Sequence, residues 1–272
     1  MPDQTSGLLE AWPALALAGL LDLPTAGIGP GFRLPPLWHW VYLHDPVAQS
    51  ALGPEGHPAH GVPAPPGSGL RRMFAGGRVT TYRPLRLGTE AVSHTEEVHR
   101  REHQGRSGRF TVITTRRHLD QDGDTAVVDE QDIIYREPAP LPPHRPHPGH
   151  ERDDERWTVA VSETLLFRFS ALTYNAHRIH YDADYCRDHE DYRALVVHGP
   201  LQALLMAQLA TGHQPPDGPS AFSYRLVSPL LLGQGLIVGR RADGPSTVTT
   251  VRDATGRLTA TGLWVAAPSI PA

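Results

Sequence analysis

The sequence has a single cysteine, Cys186, so it cannot form an intramolecular disulfide. This fits a reducing compartment, and we expect a cytoplasmic protein. No apolar run approaches the roughly 20 residues needed to cross a bilayer, and the first residues lack the basic and apolar pattern of a signal peptide. The net charge of −4 lacks the basic excess that nucleic-acid binding requires. We therefore expect neither a membrane partner nor a nucleic-acid partner.

Several catalytic signatures are also missing. No GxSxG nucleophile elbow, glycine-rich phosphate loop or dinucleotide fingerprint occurs. His177 and His180 have HxxH spacing, with Asp182 and Asp184 following, but no third ligand has a diagnostic spacing for a metal. We predict no metal and no cofactor. Cys186 lacks the setting of a nucleophile and is expected to be a packed small residue.

Proline and glycine, by contrast, are frequent, with 27 and 26 residues among 272, which indicates many turns and short strands. Stretches rich in Val, Ile, Thr and Tyr predict strands in the first half of the chain at 73–85, 89–103, 109–119 and 124–136. The second half is predicted to hold a strand at 159–172, an apolar helix at 199–211 and strands near 219–228, 234–242, 246–253 and 257–266. The recurring order of elements indicates a tandem duplication of one sheet wrapped around a helix.

Residues 138–156 separate these halves and are dominated by proline and histidine, the composition of a linker. We therefore predict two domains, 1–137 and 157–272. Within the first, residues 7–23 have helical apolar spacing and predict a packed surface helix, and residues 35–49 are apolar nearly all round, as a buried segment is. The Pro- and Gly-rich residues 53–69 predict a long loop.

The candidate chemistry lies between residues 170 and 200. Asn175 and His180 are five apart, which would leave their side chains about 140° apart on a regular α-helix. They converge only if 173–181 is a loop or a distorted turn. His180 is the best acid–base candidate, because the unperturbed pKa of histidine is near neutrality. Asn175 cannot carry a proton, but it can orient a water or a carbonyl oxygen.

A second feature follows at the start of the predicted helix. Pro200 suits a first helical turn, and Gly199 lets a substrate approach the backbone closely. The free N–H groups at this helix N-terminus would polarise a thioester carbonyl and stabilise an enolate. His198, just before the helix, fits either a structural role or a place in the site.

Five segments together resemble a known superfamily: Leu34-Pro-Pro-Leu-Trp-His-Trp, Arg71-Arg-Met-Phe-Ala-Gly-Gly-Arg, Asp129-Glu-Gln-Asp-Ile-Ile-Tyr-Arg-Glu, Phe169-Ser-Ala-Leu-Thr-Tyr-Asn-Ala-His-Arg-Ile-His-Tyr-Asp and His198-Gly-Pro-Leu-Gln. The chain is similar to MaoC-like, R-specific enoyl-CoA hydratases. Its nearest resemblance is to the branch of mesaconyl-CoA, 3-methylfumaryl-CoA and itaconyl-CoA hydratases and 3-hydroxyacyl-thioester dehydratases. The resemblance spans roughly residues 30–267.

This resemblance implies an α+β double hot-dog fold, in which two antiparallel sheets each wrap a central helix. It also implies a homodimer, a catalytic C-terminal half and an N-terminal half that shapes the acyl pocket. The superfamily motif Asp-x-Asn-Pro-x-His, laid on this chain, places its Asp on Asn175, its Asn on His177, its Pro on Arg178 and its His on His180. Only the last is unchanged, so the usual joint action of Asp and His on water is in doubt here.

The implied function is a hydratase or dehydratase acting on the α,β-double bond of an acyl-CoA or acyl-ACP, with an acyl group that is branched or dicarboxylic in some relatives. Two alternatives remain open: a hot-dog thioesterase and a non-catalytic module that binds acyl thioesters. The predicted catalytic residues are His180, Asn175 and Gly199, and Asp182 is a candidate auxiliary group. The predicted substrate-binding residues are Tyr174, His177, Arg178, His198, Pro200 and Arg225.

Overall fold

The computed structural model describes residues 3–67, 69–105, 108–138, 153–216 and 218–266. The strands are β1 (Asp3–Leu8), β2 (Arg71–Thr81), β3 (Glu90–Gly105), β4 (Gly108–Gln121), β5 (Asp124–Arg136), β6 (Glu155–Val159), β7 (Ser220–Leu226), β8 (Leu236–Asp243), β9 (Ser246–Arg252) and β10 (Leu258–Ala266). The α-helices are α1 (Ala11–Leu20), α2 (Glu163–Leu172), α3 (Ala183–Glu190) and α4 (Gly199–Ala210). None of the helices in these ranges combines the length and the apolar character required to cross a membrane.

The strands form one antiparallel sheet in the order β1-β3-β4-β5-β2-β7-β10-β9-β8-β6. Strands β2 and β7 join the two halves, with Gly77 opposite Tyr224 and Thr81 opposite Ser220. The two predicted half-sheets are therefore continuous across the middle of the molecule. This junction places helix α4 of the second half in contact with β2 of the first half.

Helix α4 is the central helix of the C-terminal half. Every residue from Leu201 to Ala210 is buried, and this helix is apolar on all sides. Such a helix is stable only if other elements cover it all round. Five neighbouring strands of the sheet, β2, β7, β10, β9 and β8, pack against it. The predicted helix at 199–211 is confirmed.

The N-terminal half has a different interior. The apolar stretch at 35–49 forms only a short 3₁₀ turn, Trp38–Val41, because Pro46 and the left-handed backbone of Leu37 limit regular helix there. Helix α1 packs against this turn and against α2, and the Tyr42 hydroxyl accepts a hydrogen bond from the Ala14 N–H. The predicted helix within 7–23 is thus present as α1, while β1 was not predicted.

One predicted element is wrong. The strand expected at 159–172 is a short strand, β6, followed by helix α2. The Ser162 hydroxyl accepts a hydrogen bond from the Leu165 N–H at 3.2 Å and caps the helix, and Glu163 in the first turn suits its positive end. The aromatic and β-branched residues of this segment favoured a strand by propensity, but the cap and the tertiary packing favour a helix.

The four strands predicted in the first half and the last four predicted in the second half agree with β2–β5 and β7–β10 to within a few residues. Most of the predicted linker, 138–156, lies outside the described residues, and β6 begins at Glu155 within that range. The division into domains 1–137 and 157–272 stays a prediction.

Candidate active site

The turn between α2 and α3 carries the predicted catalytic pair. It is irregular from residue 173 to residue 177 and continues as a 3₁₀ turn, Arg178–His180. The Asn175 side-chain oxygen accepts a hydrogen bond from the His177 N–H at 3.0 Å, which closes a tight local turn. Tyr174 adopts a left-handed conformation with a φ of 51°. The segment is therefore the distorted turn that convergence of Asn175 and His180 requires.

His180 is buried, with 5% of its surface exposed, and its Nδ1 lies 2.7 Å from the carbonyl oxygen of Val196. A carbonyl oxygen only accepts hydrogen bonds, so Nδ1 carries the proton and Nε2 keeps its lone pair. Burial lowers the pKa of His180 to about 4, although the Val196 carbonyl opposes this shift. His180 is thus a neutral imidazole at physiological pH, ready to accept a proton at Nε2.

His198 lies behind His180 rather than in the cavity. The two rings are stacked, with centroids 3.6 Å apart, and His198 is completely buried. Its Nε2 lies 2.8 Å from the Ser170 hydroxyl on α2. Burial holds the pKa of His198 well below its usual value, so the stack is a pair of neutral rings. Of the two roles left open by the sequence, the structure favours support of His180 from behind.

The N-terminus of α4 borders the same cavity. The Gly199 N–H has no acceptor among the described residues. A side chain on Gly199 would place a Cβ 3.1 Å from Phe74 and 3.2 Å from Leu226, so glycine leaves the backbone accessible. Pro200 follows within the first helical turn, where its missing N–H costs nothing. A free donor at the positive end of a helix is suited to an oxygen that gains negative charge.

These groups face one cavity of about 910 Å³ that is shared by both halves of the chain. The C-terminal half lines it with Tyr174, Asn175, His177, His180, Gly199 and Pro200. The N-terminal half lines it with Trp40, Glu55, His57, Arg72 and Arg117. The cavity therefore has donors and a base on one side, and two guanidinium groups and the carboxyl groups of Asp45, Glu55 and Asp129 on the other.

The loop predicted at 53–69 docks directly on the catalytic turn. Gly56 has a φ of +98°, and a Cβ there would lie 1.9 Å from the Ala176 carbonyl oxygen. The Arg178 N–H donates to the Glu55 carbonyl oxygen at 2.9 Å. Only glycine permits this approach, and the docking brings the Glu55 carboxyl group close to His57 and His177.

Glu55, His57 and His177 form the one cluster within the described ranges that has the composition of a metal site, with candidate ligand atoms within 4.8 Å of one another. Arg72 Nη1 lies 2.8 Å from His57 Nε2. Because guanidinium can only donate, His57 Nε2 is the acceptor and Nδ1 carries the proton. Nδ1, the atom that faces Glu55 at 3.4 Å, then has no lone pair for a metal. In this arrangement the cluster does not fit a metal ion.

Besides His198, three predicted site residues lie outside the cavity lining. Arg178 forms an ion pair with Asp182 at 2.7 Å and covers the ring of Tyr185. The Asp182 carboxylate also caps α3 by accepting from the Tyr185 N–H at 2.9 Å. Arg225 is exposed on β7. Arg178 and Asp182 are occupied by structural contacts, and Asp182 does not contact His180, so we do not include the three residues in the proposed site.

The resemblance implies that the N-terminal half shapes the acyl pocket, but the residue pattern does not show which of its side chains line the cavity. Glu55 and His57 lie in a loop without periodicity, and Arg117 is one of several charged residues along β4. Arg72 is one of three arginines on β2, and nothing in the pattern distinguishes it from the other two. Alternation along β4 is too mixed to show which side chains face the cavity. A pairing of this loop with the turn at 173–180 was therefore not visible in the residue pattern.

Comparison with known proteins gives consistent results. A family model described as hydroxyacyl-thioester dehydratase type 2 matches residues 37–232. The mesaconyl-C(4)-CoA hydratase of Chloroflexus aurantiacus is 43% identical over 223 residues, which cover 80% of this chain and 78% of the relative. The structure of HtdX from Mycobacterium tuberculosis superposes with a TM-score of 0.69 at 16% identity, covering 97% of this chain and 100% of HtdX.

A second protein of Mycobacterium tuberculosis, described as having a double hotdog fold, superposes with a TM-score of 0.55 at 14% identity. The match covers 97% of this chain and 94% of that protein. At such low identity these likenesses concern the fold. The predicted α+β double hot-dog fold is confirmed, with the qualification that its two sheets are joined through β2 and β7.

Proposed function

Because the chain belongs to the hydroxyacyl-thioester dehydratase type 2 family, and is therefore a hydro-lyase acting on acyl thioesters, we propose that its substrate is an acyl-CoA whose acyl chain ends in a free carboxylate. The relative from Chloroflexus aurantiacus is named for mesaconyl-CoA, a thioester of an unsaturated dicarboxylic acid. Its name supports both the CoA carrier and the second carboxylate. The chain thus adds or removes water across the α,β-double bond of such a thioester.

The observation that carries the mechanism is the pairing of His180 with the N-terminus of α4. The thioester carbonyl oxygen accepts a hydrogen bond from the Gly199 N–H, which stabilises the negative charge of an enolate. In dehydration, Nε2 of neutral His180 removes the proton α to the carbonyl. The β-hydroxyl then takes up a proton and leaves as water, and hydration is the reverse sequence.

Asn175 has a defined chemical limit in this scheme. Its side-chain oxygen accepts a hydrogen bond from the His177 N–H, which orients the amide and leaves its nitrogen available to donate to the substrate hydroxyl or to water. Asn175 therefore orients the oxygen that leaves or attacks, and it exchanges no proton. His177 and Tyr174 border the same space and complete its C-terminal wall.

The second carboxylate has a candidate partner in Arg117. Its Nε donates to Ser93 Oγ at 2.6 Å, and its Nη2 donates to the carbonyl oxygens of Tyr42 and Leu43 at 3.0 and 2.8 Å. Within the described residues, Nη1 has no acceptor. Arg117 lines the cavity, with Asp129 close enough to support its charge. An unpaired donor of a fixed guanidinium is suited to a substrate carboxylate.

Incubation with mesaconyl-CoA tests the proposed substrate class. We expect loss of the absorbance of the conjugated thioester without release of free thiol. Crotonyl-CoA, an unsaturated thioester without the second carboxylate, is the matched comparison and should react at least about tenfold more slowly, the loss expected for one missing charged contact. Equal rates for both would contradict the proposed carboxylate, and release of thiol would indicate hydrolysis instead.

We further propose that the protein works without a metal or organic cofactor, as a homodimer and in the cytoplasm. The hydrogen-bonding state of His57 supports the first point. The association common among hot-dog proteins supports the homodimer. The single cysteine supports the cytoplasmic location. Light scattering of the purified chain tests the homodimer, and a mass close to one chain of 29.8 kDa would contradict it.

A further inference from the structure

The departing hydroxyl needs a proton, and apart from His180, which takes up the α-proton, none of the groups placed in the mechanism so far can supply one. His180 is neutral and is used as the base, and Asn175 has no acidic proton. Asp182 lies outside the cavity. The superfamily motif has an aspartate at the position of Asn175, so the catalytic turn of this chain has lost its acidic group. A replacement has to reach the cavity from another part of the fold.

Glu55 reaches it from the N-terminal half. Its two carboxyl oxygens face two histidine rings, with Oε1 3.4 Å from His57 Nδ1 and Oε2 3.7 Å from His177 Nε2. His177 in turn lies edge-to-face against His180, with ring centroids 5.6 Å apart. Glu55 and His180 thus flank His177 and line the same cavity.

The surroundings keep this carboxyl group in place. The docked Gly56 and the hydrogen bond from the Arg178 N–H to the Glu55 carbonyl fix the backbone. The hydrogen bond from Arg72 fixes the tautomer of His57, so the proton is on Nδ1, the nitrogen that lies 3.4 Å from Glu55 Oε1. The Nδ1 of His57 and the Nε2 of His177 are both buried and have no hydrogen-bond partner within the described residues. A change of charge on the Glu55 carboxyl group therefore acts directly on these two ring nitrogens.

We propose that Glu55 is the second acid–base residue of the site and takes the place of the aspartate missing from the catalytic turn. The inference rests on the proposed reaction with His180 as the base. In dehydration, His180 takes the α-proton, the C–H electrons form the double bond, and the bond from the β-carbon to oxygen breaks. The Glu55 carboxyl proton joins the departing hydroxyl to form water. The proton on His180 then returns to the Glu55 carboxylate through water, which restores both groups.

The electrostatic environment agrees with this role. Burial raises the pKa of Glu55 above its ordinary value, and the nearby Arg72 opposes the shift. A raised pKa keeps a larger fraction of the carboxyl group protonated near neutral pH, as a general acid requires. The neutral histidines on both sides add no positive charge that would favour the carboxylate.

Substrates with different leaving groups separate this role from a structural one. A hydroxyl needs a proton to leave, whereas chloride does not. We therefore compare a 3-hydroxyacyl-CoA with the 3-chloroacyl-CoA of the same acyl chain in the Glu55→Gln variant. Dehydration should fall by about 100-fold or more, and chloride elimination should stay within about threefold of the wild-type rate. Glu130→Gln is the matched control, because Glu130 pairs with Arg78 and Arg116 outside the cavity lining.

Several other results would contradict the proposed roles of Glu55 and His180. If Glu55→Gln loses both reactions, or keeps more than about one tenth of dehydration, Glu55 is not the leaving-group acid. If His180→Gln keeps chloride elimination, the proposed base is wrong, whatever Glu55 does. The fall in wild-type dehydration with rising pH should be absent from Glu55→Gln. Loss of wild-type activity with EDTA and its recovery with Zn²⁺ would overturn the proposal in favour of a metal at Glu55, His57 and His177.

Discussion

The ring of His198 lies flat against the ring of His180, with 18° between their planes. His198 is held from the other side by the Ser170 hydroxyl, and its ring also contacts Phe169 on α2. Helix α2, which the sequence predicts as a strand, therefore sets the position of the His180 imidazole through an intermediate ring. His198 is a positioning residue in this account.

Removing that support should weaken catalysis without abolishing it. We expect His198→Ala to lower kcat by about 10- to 100-fold, the range for residues that orient a catalytic group, with little change in KM. His198→Phe keeps a flat ring under His180 and should recover most of the loss in kcat. Steady-state kinetics of the two variants check this. Equal losses in both would show that the stacked ring is not the feature that matters.

His180 itself should be indispensable. His180→Ala should lower kcat by about 10²–10⁴-fold, because a general base usually contributes that much. His103→Ala is the control, since His103 lies on β3 outside the cavity lining and stacks on Phe110. Circular dichroism confirms that both variants fold. If His180→Ala keeps more than about one hundredth of the wild-type kcat, the role of His180 is wrong.

Gly199 should tolerate no side chain. Gly199→Ala places a Cβ against Phe74 and Leu226 and moves either the helix start or its neighbours by a few tenths of an ångström. We expect kcat/KM to fall by about 100-fold, because small misplacements of an oxyanion donor are costly. In Gly19→Ala, the control on α1, the new Cβ meets nothing within 4 Å. Gly19→Ala should keep full activity. The fall in kcat/KM of Gly199→Ala is therefore compared with another Gly-to-Ala substitution that has no steric effect.

The site shows what local sequence can and cannot specify. The turn at 173–180 and the helix start at 199 could be predicted, because a motif and a Gly-Pro pair stand out along the chain. Strands β2–β5 and β7–β10 followed from composition and turn signals. Helix α2 did not, because its aromatic residues favour a strand until the Ser162 cap and the packing against α1 are considered.

The other wall of the cavity depends on contacts between residues far apart in sequence. Glu55 lies beside His177, which is 122 residues further along the chain, because Gly56 packs closely against the Ala176 carbonyl oxygen. Arg117 faces the cavity because of the register of β4 with β3 and β5, which pairs it with Thr95 and Asp129. Neither relation has a periodic signature. Both arise only when the sheet and the loop are assembled.

Arg117 should control the choice of acyl group. Arg117→Met keeps much of the length and removes the charge, so kcat/KM for mesaconyl-CoA should fall by about 30-fold, equivalent to roughly 2 kcal/mol. The rate with crotonyl-CoA should not fall. Arg116→Met is the control, because Arg116 pairs with Glu130 outside the cavity lining. A parallel loss for both substrates would indicate that Arg117 supports the fold through Tyr42 and Leu43 rather than binding the carboxylate.

The buried histidines should make the folded state sensitive to acid. The pKa of His180 is about 4 in the folded protein and 6.5 for the free side chain, so between these values the unfolded chain binds more protons. The contribution of His180 to the free energy of unfolding is then fully present above about pH 6.5. This contribution is lost as the pH falls toward 4, by roughly 3 kcal/mol. Burial lowers the pKa of His57, His177 and His198 in the same direction.

Urea unfolding between pH 7.5 and pH 5 measures this effect. The midpoint should fall steadily with acidification in the wild-type protein and less steeply in His180→Gln, which cannot take up the proton in either state. Carboxylates with lowered pKa values, such as those of Asp182 and Asp253, lose their contribution only below about pH 4, so they do not obscure this window. A midpoint that falls equally steeply in the wild-type protein and in His180→Gln would mean that burial does not lower the pKa of His180, and His180 would then not be the neutral base proposed here.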